Sequence, residues 1–224
     1  MRHFSLITLA SPAIARTSAP QISASSCKDY VLISSRGTAE GQGPSSVFAG
    51  AIETVLGTLA NGIEVDTVYP ADWNLDPHQS GANWIHQYIT QSLASCPRQN
   101  FALLGYSQGA MVSSGALEKL SNGANGAIKA ALFFGNPYHV PQRNGNVDEH
   151  GGNLTAGAFG LNWTHNPSAV NDFAVSGRLL DVCFTGDIVC NSAPSFDLSA
   201  HGRYGASQEV QKMGANFLLR HLHE

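Results

Sequence analysis

Gly105-Tyr106-Ser107-Gln108-Gly109 sets a serine between two glycines, each two residues away. The apolar run Phe101-Ala102-Leu103-Leu104 precedes it, and the helix-forming stretch Ala110 to Leu120 follows. A strand, a Gly-x-Ser-x-Gly turn and a helix make a nucleophile elbow. The turn strains the backbone at the serine, and glycine on either side lets strand and helix pass closely. The hydroxyl is then held clear of the sheet beside helix N-terminal amides, which suits attack on a carbonyl carbon.

Such a serine needs a base, and the base needs an acid to orient it. In hydrolases built on the elbow the chain order is Ser, then Asp or Glu, then His. Among the carboxylates and histidines after Ser107, one pair has a distinctive setting. Asp187 lies within Cys183-Phe184-Thr185-Gly186-Asp187-Ile188-Val189-Cys190, just after the apolar run Leu179 to Val182. His201 follows in a loop rich in Pro, Ser and Gly. A carboxylate fixed at a strand end can hold an imidazole in the correct tautomer.

With these residues in place, the chain resembles the cutinases and cutinase-like esterases. Cys27 precedes the first strand, Tyr30 to Ile33, which runs into Arg36-Gly37-Thr38-Ala39-Glu40, similar to that family's Arg-Gly-Ser/Thr-x-Glu. Gly105 to Gly109 resembles its Gly-Tyr-Ser-Gln-Gly, and Phe134-Gly135-Asn136-Pro137 its Gly-Asn-Pro strand end. Cys183 to Cys190 resembles its Cys-x3-Asp-x2-Cys, with the histidine where expected. The matches run in order from Cys27 to about His223, and four cysteines bring the chain nearer the fungal polyesterases than the acetylxylan esterases.

The resemblance implies Ser107 as nucleophile, His201 as base and Asp187 as orienting acid. It implies an oxyanion hole from the backbone amides of Thr38 and Gln108, with the Thr38 hydroxyl as a third donor. The physics agrees: Gln108 follows the nucleophile, and Thr38 lies in the loop after the first strand. Where some members carry serine, Thr38 adds a methyl that restricts its rotamer. Four cysteines allow three pairings. Proximity and the resemblance favour Cys183–Cys190, which leaves Cys27–Cys96.

These groups need a scaffold. Strand-like runs at Tyr30–Ser34, Ile63–Tyr69, Phe101–Leu104, Ala130–Phe134 and Leu179–Phe184 alternate with helical stretches at Pro44–Ala60, Gly81–Ser95 and Gln108–Leu120. Ser207–Leu222 closes the chain as a last helix. Val47, Ala51, Ile52, Val55 and Leu59 form an apolar stripe at helical spacing. The alternation, with the resemblance, predicts an α/β-hydrolase: a three-layer α/β/α sandwich on a central, mostly parallel five-stranded sheet. Right-handed crossovers place the site at the carboxyl ends of the strands. Thr38, Ser107 and Asp187 all follow strand ends.

Two segments break the alternation. Residues 137–177 lack clear periodicity and are read as turns or short hairpins. Residues 71–80 bring Trp73 and Leu75. With Pro194, Phe196 and Leu198 they form the apolar rims of a candidate substrate groove.

Composition bounds the rest. Length predicts one domain, residues 27–224, behind a signal peptide at 1–15 and an N-terminal extension at 16–26. Ala13-Ile14-Ala15 is the small-residue cleavage site. Secretion follows from that segment and the cysteines. Asn153 and Asn162 open glycosylation sequons. Net charge is −4 with no basic stripe, so nucleic acid is not an expected partner. No apolar run is long enough to span a bilayer. His221-Leu222-His223 and Asp148-Glu149-His150 read as solvated surface rather than metal ligands. No metal and no cofactor are expected, and a monomer is the default.

The resulting expectation is a secreted serine esterase acting on polymeric or small ester substrates: cutin-like aliphatic polyesters and short-to-medium acyl esters. An acetylxylan esterase or a lipase differs from it only in the groove. A catalytically silent wall-binding protein on the same fold is the rival from another class, and the intact Ser107, Asp187, His201 and Gln108 speak against it.

Overall fold

The computed structural model describes residues 27–73, 77–121, 123–192 and 198–223. The signal-peptide segment, the N-terminal extension, Leu75, Pro194 and Phe196 lie outside the described residues. The elements are β1 (Tyr30–Ser35), α1 (Ala49–Thr58), β2 (Gly62–Asp66), α2 (Pro77–Ser95), β3 (Asn100–Tyr106) and α3 (Gln108–Leu120). They continue with β4 (Ile128–Phe134), β5 (Asn146–Val147), α4 (Ala169–Val175), β6 (Leu179–Val182) and α5 (Gln208–Leu222). The sheet runs β2-β1-β3-β4-β6-β5, and every pairing in it is parallel.

Side-chain alternation along the strands divides the core. Val31, Ile33, Phe101, Leu103, Ala131 and Phe133 face α2, α3 and α4. Leu32, Ala102, Leu104, Leu132 and Phe134 face α1 and α5. With both faces covered, these strands are apolar at nearly every position. The first helix begins at Ala49 rather than Pro44, behind a short 3-10 turn at Ser46–Phe48. The Glu40 carboxylate accepts from Ser45 Oγ at 3.2 Å, which holds that stretch to the loop after β1 instead of extending the helix. Ser207 caps α5, its Oγ accepting from Val210 N.

The sheet has six strands rather than five. The sixth comes from residues 137–177, which add the two-residue β5 beside β6 and the helix α4. Of the expected turns or short hairpins, turns form along the segment and hairpins do not. Side chains bonding to backbone set the path of this segment, and such bonds carry no hydrophobic period. Asp148 alone accepts from the amides of His150, Gly152 and Leu154.

Asp181 of β6 anchors the segment. It is fully buried and accepts from Arg143 Nη2 at 2.7 Å and Asn136 Nδ2 at 2.9 Å. His139 Nδ1 lies 3.2 Å from the same oxygen. Burial pushes the Asp181 carboxyl up, but His139, Arg143 and Asn136 together outweigh it and hold the group below the usual carboxylate range. A carboxyl lowered by folding adds stability above its unfolded value, about pH 4, and that stability is lost as pH falls through the folded value. Asp181→Asn therefore costs about 3–5 kcal/mol near neutral pH, because Arg143 is left buried and uncompensated. Urea titrations of both proteins at pH 7 and pH 3 check this: the gap between them narrows at the lower pH.

Candidate active site

The elbow is built as its residues require. β3 ends at Tyr106, Ser107 takes φ 52° and ψ −120°, and α3 starts at the next residue. A positive φ at a non-glycine residue costs about 1–3 kcal/mol and persists only where the surroundings enforce it. Here the Ser107 amide donates to Phe134 O at 2.9 Å. A Cβ on Gly105 would lie 2.5 Å from Gly109 O, and one on Gly109 would collide with the Ser35 backbone. Both glycines are needed because strand, turn and helix are in backbone contact.

Asp187 is fully buried, and the Cys183–Cys190 disulfide closes its loop with Cα atoms 5.8 Å apart. The Asp187 amide donates to Phe184 O at 3.0 Å, and Asp187 Oδ1 accepts from Val189 N at 2.9 Å. His201 Nδ1 lies 3.0 Å from Oδ1 and 2.9 Å from Oδ2. A carboxylate only accepts, so Nδ1 carries a proton, and in the neutral ring Nε2 is the atom with the lone pair. The second disulfide, Cys27–Cys96, ties the start of β1 to the end of α2, with Cα atoms 5.6 Å apart.

The imidazole is fixed from several sides. The Tyr106 ring stacks on it at 5.0 Å, and Tyr106 Oη donates to His201 O at 3.0 Å. Tyr106 immediately precedes Ser107, so serine and imidazole are indexed to one side chain. Gly135 has φ +57°, and a Cβ there would sit 2.7 Å from His201 Cε1. The glycine of Gly135-Asn136-Pro137 thus makes room for the imidazole.

The loop after β1 is braced by its own charged residues. Glu40 Oε2 accepts from Gly37 N at 2.6 Å. The Arg36 guanidinium is buried, donating to Glu40 O, Gln42 Oε1 and Tyr69 O. Ala39 N donates to Ala71 O at 2.6 Å, and Gln108 Nε2 to Asp72 O at 2.8 Å. Among the described residues, neither the Thr38 nor the Gln108 backbone amide has an acceptor within the protein.

Of the candidate groove, Trp73 is 83% exposed and Leu198 59%, each within a few residues of the Asp72 and His201 contacts. Sequence reasoning missed a further apolar group beside the site. Phe159, Leu161 and Trp163 are exposed, and their strip is tied to the acid loop by Leu161 N to Val189 O and Ser192 N to Phe159 O. Large apolar residues at every second position were the available signal. Asn153 is exposed and Asn162 half-buried. Asp148 and Glu149 serve as backbone acceptors, and His150 pairs with Glu209. Among the described residues no cluster of three His, Cys, Asp or Glu could hold a metal ion.

A parallel sheet flanked by helices on both faces, with an elbow serine and a His–Asp pair at its carboxyl edge, defines an α/β-hydrolase. The chain matches the family model described as Cutinase over residues 26–222, and it belongs to that family. It is 29% identical over 199 residues to "Cutinase CUT2" of Pyricularia oryzae, covering 85% of this chain and 80% of that one. A cutinase-like protein from Cryptococcus sp. superposes with TM-score 0.80 at 37% identity, over 90% of this chain and 98% of the other. The catalytic core of an acetyl xylan esterase from Trichoderma reesei shares the fold, with TM-score 0.69 at 23% identity over 87% and 99% of the two chains. The protein is accordingly a carboxylic ester hydrolase of the cutinase kind.

Proposed function

We propose that the protein is a secreted serine esterase that cleaves cutin-like aliphatic polyesters and short-to-medium acyl esters through an acyl-enzyme. The observation that carries this reading is the strained Ser107 elbow beside the His201–Asp187 pair, with two amides that have no acceptor among the described residues. Ser107 Oγ attacks the ester carbonyl carbon while His201 Nε2 takes its proton. The tetrahedral oxyanion is held by the amides of Thr38 and Gln108. It collapses, and His201 passes the proton to the departing alcohol. Water, deprotonated by His201, then releases the acid from Ser107. No cofactor enters these steps.

Two disulfides support an oxidising, extracellular compartment, with residues 1–15 as the signal peptide and a single domain at 27–224 acting as a monomer. Among the described residues no helix is long and apolar enough to cross a membrane. Exposed Trp73 and Leu198 fit a groove open to polymer chains, and Asn153 and Asn162 are the positions proposed to carry glycans. A panel of aliphatic polyester, tributyrin and acetylxylan tests the substrate class. Release of acetate from acetylxylan alone would replace the polyester reading. Failure of a phosphonate ester to label Ser107 would remove the serine mechanism and favour a wall-binding role.

The Thr38 hydroxyl is proposed as a third oxyanion donor. Thr38→Val retains the amide and the shape. If the hydroxyl meets the oxyanion, kcat falls by up to about 10²–10³-fold with little change in KM. An unchanged kcat in steady-state kinetics would show that the two amides suffice.

A further inference from the structure

We propose that Tyr204 is a positioning residue for the His201–Asp187 pair, its hydroxyl holding the Asp187 carboxylate in the plane that selects the Nδ1–H tautomer of His201. Its effect on hydrolysis rests on the serine-esterase reading, whereas its effect on the imidazole stands on geometry.

Tyr204 is fully buried in an aromatic box. Phe134 stacks on its ring at 5.5 Å, Phe184 meets it edge-on at 4.8 Å, and Tyr106 lies 6.0 Å away. Phenylalanine would satisfy the apolar part of such a box, and a buried hydroxyl is costly unless bonded. Besides Cys190 Sγ at 3.5 Å, this hydroxyl has two nitrogen or oxygen partners. It accepts from Phe184 N at 3.0 Å and donates to Asp187 Oδ2 at 2.6 Å. The amide proton occupies the oxygen from one side and turns the hydroxyl proton toward the carboxylate. Burial and the nearby Asp187 charge push the phenol well above its usual range, so it remains a donor at any working pH.

The carboxylate is therefore held at both oxygens, Oδ1 by Val189 N and Oδ2 by Tyr204, with the imidazole against the pair. Without the phenol, His201 is, among the described residues, the remaining donor to Oδ2 from a nitrogen or hydroxyl group, and the carboxylate can rotate. Local structure places the two side chains together. His201–Ala206 is a 3-10 helix, in which residues three apart eclipse, so His201 and Tyr204 face one carboxylate. Gln211 references that turn to the helices: its Nε2 donates to Tyr204 O and Val47 O, and its Oε1 accepts from Ala51 N. Among the described residues, the groups around the imidazole include Asp187 from the acid loop, Tyr106 from β3, Tyr204 from its own turn and the bare Gly135 from the end of β4. The neighbouring cation, Arg203, lies over the Phe184 ring.

The test compares the full-length chain with Tyr204→Phe by proton and nitrogen NMR of the His201 ring, which needs no substrate. Losing the donor concentrates negative charge on Asp187 and stabilises the imidazolium. The His201 titration midpoint moves up by about half to one pH unit, a fraction of the worth of one hydrogen bond to a charged group. The acid limb of kcat/KM moves with it, and kcat falls about ten- to hundredfold with KM nearly constant. Replacing Tyr204 by 3-fluorotyrosine strengthens the donor and moves the midpoint down, which keeps the test decisive if the phenylalanine variant does not fold. Phe184→Leu disturbs the same box but keeps the hydroxyl. It lowers Tm and leaves the midpoint in place. An unmoved midpoint in folded Tyr204→Phe, or in the fluorinated protein if the former does not fold, overturns the proposal. Loss of Ser107 labelling in the unaltered protein would instead overturn the esterase reading, and the NMR result would still decide the role of Tyr204.

Discussion

Ser107→Ala is expected to fold normally and to lose about 10⁵–10⁶-fold in kcat on a soluble short-chain ester. Removing Oγ removes the covalent route, and only binding and the oxyanion amides remain. Retention of more than a few per cent of kcat would refute Ser107 as the nucleophile. Ser107→Gly is equally inactive but should be more stable. Its φ of 52° is strained for serine and open to glycine. Relief of about 1–3 kcal/mol exceeds the roughly 1 kcal/mol that glycine's unfolded-state freedom takes back. A net gain of about 1 kcal/mol raises Tm by roughly 2–4 °C in a domain of this size. Calorimetry showing the glycine variant no more stable than the alanine variant would mean that the elbow stores no strain.

Asp187→Asn has the next largest expected effect, a loss of about ten-thousandfold in kcat with the fold retained. The amide is nearly isosteric, so packing survives. Its NH₂ group can turn toward Nδ1, which then accepts, and the proton moves to Nε2. An imidazole protonated there cannot receive the Ser107 proton. Val189 N needs the amide's oxygen at the Oδ1 position, which leaves the NH₂ group at the Oδ2 position against Nδ1. Stopped assays at several pH values check the prediction. The lost rate should recover partly at high pH, where hydroxide substitutes for the base. A variant with kcat within tenfold of the parent would show that His201 is oriented by other contacts.

Much of the site was legible in the chain because its parts are local. The elbow needs glycines at fixed offsets from one serine, and the acid loop needs two cysteines flanking one aspartate. Both patterns survive in sequence whatever lies elsewhere. Four of the principal strands, all but the half-buried edge strand β2, were legible for a related reason. Strands buried on both faces must be apolar at nearly every position, as Phe101–Leu104 and Ala130–Phe134 are. Strand edges were less legible. β6 ends at Val182 although the apolar run continues to Phe184, because Phe184 turns into the loop that carries Asp187, where its amide donates to Tyr204 Oη.

What tertiary structure decided is what depends on partners distant in the chain. The path of residues 137–177 follows from Asp181 capturing Arg143 and Asn136, a pairing with no sequence period. The need for glycine at 135 appears only when His201, sixty-six positions on by subtraction, packs within 2.7 Å of where its Cβ would be. Tyr204 could be read as one more core aromatic until its hydroxyl was seen against Asp187. By itself the sequence determined the candidate chemistry, since the proposed nucleophile, acid and base are chosen by residue type and by the turns that present them. The folded structure decided how firmly the base is held, because a buried hydrogen bond is specified by three-dimensional placement and by nothing in the spacing of the two residues that make it.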